Sequence, residues 1–217
     1  MAPVNRLEGD RDVPSFDYSG KHVTFTGRYT GSYDCINNGR FYEQPFLEHV
    51  RSLGIGGTYL DIGTNIGNHA VYFALFCPSR RVIGFEPVEP WRIRAESNIA
   101  ANGCEGKVEI VPRGLLDAPR ELVFKPYSTA YTLDCTTLDL ALPDLNDVGV
   151  IKMDIEGSEP DALRGGREFF RRNRPVIFAE CLGDTSELLA AASAIGYAQA
   201  GMFLEGASPM MELRPVG

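Results

Sequence analysis

The sequence predicts an α/β protein with a doubly wound, mostly parallel sheet and helices on both faces. Three observations carry this prediction. Apolar, strand-like runs recur near residues 58–62, 81–85, 107–111, 148–155 and 174–180, with helical patterns between most of them. Four of these runs end in acids: Asp61, Glu86, Asp154 with Glu156, and Glu180. In a parallel sheet those ends gather on one edge, where open α/β sheets bind ligands. The first run also passes directly into a glycine-rich turn that opens a helix.

Composition limits what such a fold can be used for. With 217 residues, 44% hydrophobic and 23% charged, the chain can bury a full core, and one domain with an extension is expected. Residues 1–53 are read as that extension, with a mobile start, a β-hairpin and a helix; residues 54–217 are read as the catalytic domain. A formal charge of -8 and a pI near 5.0 leave no basic field for a phosphate backbone, so nucleic acid is not an expected partner. A small molecule or a neutral glycan fits better, and a homodimer is compatible with this reading. The start of the chain is charged rather than apolar, and no run is long enough to span a bilayer, so a cytoplasmic location and no membrane partner are expected. Cys35, Cys77, Cys104, Cys135 and Cys181 are scattered without a C-x-x-C pair, which predicts neither a disulfide framework nor a zinc site.

The elements follow from local chemistry. From His22, the run His-Val-Thr-Phe-Thr alternates as a half-buried strand, and Asn38-Gly39 signals a turn before Arg40-Phe-Tyr42, giving a small β appendage. Its aromatic residues Tyr29, Tyr33, Phe41 and Tyr42 are expected to lie on the domain rather than to form a substrate lid. Phe46, Leu47 and Val50 at helical spacing, with Pro45 in the first turn and Gly54 as a stop, predict a helix over 43–53. Further helices are expected over 68–76, closed by Pro78, over 90–101, closed by Asn102-Gly103, and over 185–195, stopped by Gly196. Short strands at 121–124 and 131–133 belong to an insertion that the pattern does not place, and 135–142 is ambiguous. Two late strands around Met202 and Met211 are separated by Gly206-Ala-Ser-Pro209.

The turn Thr58-Tyr-Leu-Asp-Ile-Gly-Thr-Asn-Ile-Gly67 concentrates the binding chemistry. Gly63 permits the backbone angles of a sharp strand-to-helix turn, and Gly67 permits close approach. The pattern Asp-x-Gly-x-x-x-Gly lacks the middle glycine of the dinucleotide fingerprint and is led by an acid. It therefore suits a ligand without phosphate and with a cationic end, such as S-adenosylmethionine. About twenty residues on, Glu86-Pro87 ends the second strand where a ribose would lie, and a carboxylate can accept from both ribose hydroxyls. An adenine is expected against Arg113-Gly114-Leu-Leu-Asp117. Further along, Lys152, Asp154 and Glu156 alternate onto one face of an expected strand, a row tolerable only if Lys152 neutralises a carboxylate or the strand end opens into a cleft. Ser158 and Asp161 form a capping-box pattern with Pro160 in the first helical turn. The histidines lack ligand spacing, and His69 is read as helix-start packing.

Taken in order, Asp-Ile-Gly-Thr-Asn-Ile-Gly67, Gly-Phe-Glu-Pro87, Ile-Lys-Met-Asp-Ile-Glu-Gly-Ser-Glu159 and Arg-Pro-Val-Ile-Phe-Ala-Glu180 resemble the FkbM-type S-adenosylmethionine-dependent methyltransferases over about residues 41–180. The resemblance implies the class I methyltransferase (Rossmann-like) fold, a seven-stranded sheet with its last strand antiparallel, and O-methylation of sugars or secondary metabolites. It places Asp61, Gly63, Asn65 and Gly67 on the methionine part, Glu86 on the ribose, and Asp154 and Glu156 in the reaction zone. The catalytic expectation gives Asp154 or Glu156 the base role with Glu180 orienting the acceptor, or lets the two acids share Mg2+. Transfer of the cofactor's aminocarboxypropyl carbon and nucleoside binding without turnover remain as alternatives.

Overall fold

The computed structural model describes residues 13–126, 128–181, 183–204 and 209–217. The expected mobile start and residues 205–208 of the late turn lie outside them. The chain opens with a hairpin of β1 (Ser15–Tyr18) and β2 (Lys21–Thr24). Its two-residue turn uses Ser19 and Gly20 at φ 47° and 79°, the left-handed pair whose twist matches the strands.

The appendage therefore contains a hairpin, but not at Asn38-Gly39. There the chain forms a short helix α1 (Asp34–Asn37), whose last carbonyls accept from Asn38 and Gly39 N–H. Asn37 and Asn38 both donate their side-chain amides to the Asp34 carboxylate, so the Asn-Gly pair closes a helix and residues 40–42 form no strand. Helix α2 (Gln44–Ser52) follows and buries Phe46, Leu47 and Val50, the three residues at helical spacing.

The domain proper alternates β3 (Gly57–Ile62), α3 (Asn68–Phe76), β4 (Ser79–Phe85), α4 (Glu89–Ala101) and β5 (Val108–Val111). An insertion of β6 (Gly114–Leu115), β7 (Arg120–Phe124) and β8 (Tyr131–Thr136) makes a separate three-stranded sheet in the order β6-β8-β7. The ambiguous 135–142 segment divides into the end of β8 and helix α5 (Leu138–Ala141), capped by Thr137 Oγ1 accepting from Leu140 N–H at 3.2 Å. Then come β9 (Val148–Met153), α6 (Glu159–Arg164), α7 (Arg167–Asn173), β10 (Val176–Glu180), α8 (Ser186–Ala194), β11 (Tyr197–Phe203) and β12 (Met210–Pro215).

The main sheet runs β11-β12-β10-β9-β3-β4-β5, with only β12 antiparallel to its neighbours. This is the seven-stranded class I methyltransferase architecture, in which strand order reverses beside β3. Alternation sends Tyr59, Val150 and Phe178 to one core and Leu60, Ile151 and Ile177 to the other, so both faces are covered. Val23, Phe25, Phe41 and Phe46 join the first core with Phe73, so the N-terminal segment shares the domain's own interior.

Two local expectations are corrected. β9 ends at Met153, so Asp154 and Glu156 do not continue its alternation; they lie in a turn where Glu156 and Gly157 take φ 57° and 93°. Ser158 makes no side-chain cap. Buried Glu159 reaches back instead, accepting Ile155 N–H at 2.7 Å, while Asp161 is held by Arg164. Among the described residues no helix is long and apolar enough to cross a membrane.

Candidate active site

The glycine turn is held by backbone and by one carboxylate. Gly63 and Thr64 donate their N–H groups to Phe85 O, and Thr64 Oγ1 donates to Asp61 O at 2.7 Å. Gly63 sits at φ 80°, and a Cβ there would lie 1.8 Å from Asp154 O, so only glycine lets the two strand ends meet. Asn65, also left-handed at φ 49°, donates its N–H to Glu86 Oε2 at 2.7 Å. Glu86 Oε1 accepts from Val88 N–H at 2.8 Å. Glu86 is only 3% exposed, and burial pushes its carboxyl up to about 7 against those two bonds. Each of its oxygens keeps a lone pair for a further donor.

Behind the turn, Lys152 is 1% exposed with its Nζ 3.5 Å from Asp61 Oδ1 and 3.5 Å from Asp154 Oδ2. It donates to Gly63 O at 3.0 Å. Burial opposes its charge, yet the surrounding acids, Asp154 first, hold the ammonium more firmly protonated than a free lysine. Burial likewise opposes the Asp154 carboxylate, but Lys152 together with Glu180 and His69 outweighs it and holds that carboxyl below the usual range. Glu180, at the end of β10, hydrogen-bonds the Asp154 side chain. Glu156 is pushed up by burial and then by the Asp154 charge.

These groups open onto a cavity of about 550 Å³ at the carboxyl edge of the sheet. One wall is Gly63, Asn65, Glu86 and Pro87, continued by Gly114 and Leu115; the acids Asp154, Glu156 and Glu180 form another. Trp91, Leu122, Phe124 and Leu133 make an apolar end, and Tyr33 with Tyr42 covers the acidic side. The structure thus brings eight of the ten expected site residues to one cavity. Asp61 and Gly67 are not on its wall. Asp61 is fully buried and spends its charge on Lys152, while Gly67 is packed so closely that a Cβ would press on Ala95 Cα at 3.2 Å. Tyr33, Tyr42 and the apolar end were not expected in the site. The only sequence signal for the apolar end is the i, i+2 spacing of Leu122 and Phe124 on β7.

The cavity fits a nucleoside joined to an amino acid. Its volume lies within the range of about 300–1,000 Å³ typical of small-molecule sites. Glu86 offers paired acceptors where a ribose would lie, and a flat apolar end suits a base. Among the described residues Arg113 is the only lysine or arginine on the wall, and it is already 3.2 Å from Asp134. Among the described residues, no group of three or more His, Cys, Asp or Glu is arranged to hold a metal ion.

Strand order, glycine turn and strand-end acids define a class I, S-adenosylmethionine-dependent methyltransferase domain. Residues 61–191 match the methyltransferase FkbM domain, more than half of the chain, and the chain belongs to that family. Among solved structures it is similar to the methyltransferase FkbM of Methylobacillus flagellatus, with 19% identity and a TM-score of 0.58 over 72% of this chain and 43% of that one. It also resembles a Streptococcus pneumoniae protein, described provisionally as a tRNA (m1A22) methyltransferase, in complex with S-adenosyl-L-methionine; identity is 16% and the TM-score 0.56 over 79% of this chain and 72% of that one. At these identities the likeness is one of fold. The AMB antimetabolite synthetase AmbE of Pseudomonas aeruginosa is 37% identical over 91 residues, covering 40% of this chain and 4% of that protein.

Proposed function

We propose that this chain methylates a hydroxyl oxygen of a small acceptor, a sugar or a secondary metabolite, using S-adenosylmethionine. The observation that carries the reading is the main-chain contact of Gly63 with Asp154, which puts an ionised carboxylate beside the cofactor turn and on the same cavity as Glu86. When bound, S-adenosylmethionine supplies an electrophilic methyl on a cationic sulfur. The protein's task is then to align an oxygen and receive its proton. Lys152 keeps Asp154 ionised, so Asp154 is available as hydrogen-bond acceptor for the incoming hydroxyl. On transfer, the hydroxyl proton would pass to the Asp154 carboxylate. Glu156, across the turn, flanks the acceptor.

Mg2+ is not part of this scheme. Among the described residues no three His, Cys, Asp or Glu side chains are grouped to hold such a cation. The similarity to an antimetabolite synthetase supports a secondary-metabolite acceptor over a polymer. The test is incubation with methyl-labelled cofactor and a panel of hydroxylated acceptors, followed by mass spectrometry. Label on an oxygen, with S-adenosylhomocysteine released, is expected; label on nitrogen or carbon overturns the assignment.

A further inference from the structure

The family match begins at residue 61, and the site does not. Tyr33 and Tyr42 reach the cavity from the N-terminal segment, with ring centroids 4.7 Å apart and planes inclined by 52°. The placement of Tyr42 is enforced, and Tyr33 packs on it. Tyr42 N–H donates to Asn68 Oδ1 at 3.0 Å and Asn68 Nδ2 donates to Tyr42 O at 2.9 Å, a reciprocal amide pair at the start of α3. The next residue, Glu43, takes a left-handed conformation at φ 54° and meets His69 Nε2 at 3.1 Å, both side chains only 5% exposed. A strained non-glycine residue persists only where its surroundings over-determine it, as this double clamp does.

The charge around these rings is lopsided. Among the described residues, Glu86, Asp154, Glu156 and Glu180 line the cavity against a single wall cation, Arg113, which is itself ion-paired. Lys152 lies behind the wall and balances only part of this charge, since Asp61 shares it. The tyrosine hydroxyls feel the same field. Burial pushes Tyr33 far up and Asp154 and Glu43 add to it; burial, then Glu43, does the same to Tyr42. S-adenosylmethionine brings a sulfonium and an ammonium against one carboxylate, a net single positive charge, and so leaves the acceptor side still acidic. Ring faces and carboxylates independently favour a cation.

We propose that Tyr33 and Tyr42, with Glu156, form the acceptor's specificity site, and that the acceptor presents a protonated amine to them beside the hydroxyl to be methylated. The substrate class is then an amino alcohol, such as an amino sugar or an amino-acid-derived hydroxyl. The inference rests on the methyl-transfer reading for the hydroxyl, but its test does not.

Four probes separate the two: glucosamine against N-acetylglucosamine, and serinamide against N-acetylserinamide. Each pair matches the hydroxyl and differs in charge. Binding to the S-adenosylhomocysteine-loaded protein is followed by NMR titration, and transfer by release of labelled product. The amine member of a pair should bind about tenfold more tightly, the scale of one desolvated cation–π contact. Glu156→Gln, at an exposed position, should reduce that preference to about twofold or less; Tyr33→Leu should do the same, and Tyr33→Phe should keep it. Absence of an amine preference in binding overturns the inference, whatever the transfer assay gives. Amine preference in binding without transfer to any probe leaves the inference standing and counts against the proposed function. Equal binding of both members with transfer to both does the reverse.

Discussion

Glu86 sets a pH dependence that cofactor binding should report. Its folded-state carboxyl is raised from the ordinary value of 4.5 to about 7, chiefly by burial. A raised acid binds more protons folded than unfolded, so its contribution to stability declines as pH rises from about 4.5 to about 7; the full loss is about 3 kcal/mol. Cofactor binding runs the opposite way, because the ionised form is the better acceptor for two ribose hydroxyls. If only that form binds, affinity at pH 6 should be about tenfold below its plateau above pH 8. Isothermal titration calorimetry with S-adenosylmethionine across pH 6 to 8.5 measures this directly. Glu86→Gln removes the titrating group and one acceptor oxygen. It should flatten the profile and weaken binding by about 1.5–3 kcal/mol at pH 8, the range for a hydrogen bond to a charged group. A folded Glu86→Gln protein with wild-type affinity, or a wild-type profile that does not change across pH 7, would refute the ribose assignment.

Asp154→Asn and Glu156→Gln should both leave calorimetric cofactor affinity within about threefold, while Asp154→Asn lowers turnover by about 100-fold, the scale of a lost general base. Turnover should survive dialysis against a chelator; loss of activity restored by Mg2+ would make these acids ligands. Lys152→Met strands Asp61 and Asp154 without their buried counter-charge and should cost about 3–5 kcal/mol in urea unfolding. A cost under about 1 kcal/mol would mean that the ion triad is not a structural linchpin. With enzyme and cofactor alone, chromatography should show no methylthioadenosine above the nonenzymatic rate. Steady release would instead assign the aminocarboxypropyl carbon as the transferred group.

The parts of the site legible in the sequence are those built by backbone geometry over a few residues. Gly63 and Glu86 are readable because a strand-to-helix turn needs a left-handed residue, and a strand end about twenty residues later comes back to that turn, where Glu86 accepts Asn65 N–H. The burial of Asp61 is not legible for a related reason: its position at a strand end is local, but its place against Lys152 depends on register with β9. Glu156 was assigned to a strand face because alternation continues in the letters, while the chain has already turned at φ 57°. Tyr33 and Tyr42 read as packing, and nothing near them in sequence says that Asn68 holds Tyr42, with Tyr33 packed beside it, at a cavity. The apolar end was illegible because it required placing the β6-β8-β7 insertion.

The approach of Gly63 to Asp154 O has a consequence for how such a domain can diversify. Because the cofactor turn and the acidic turn are indexed to each other through main chain, their spacing is insulated from side-chain replacement at the cavity mouth. On the proposed acceptor reading, residues such as Tyr33, Tyr42 and Glu156 can then be exchanged to admit a different acceptor without disturbing the line along which the two halves of the site face each other. Selectivity is interchangeable here in a way that alignment is not.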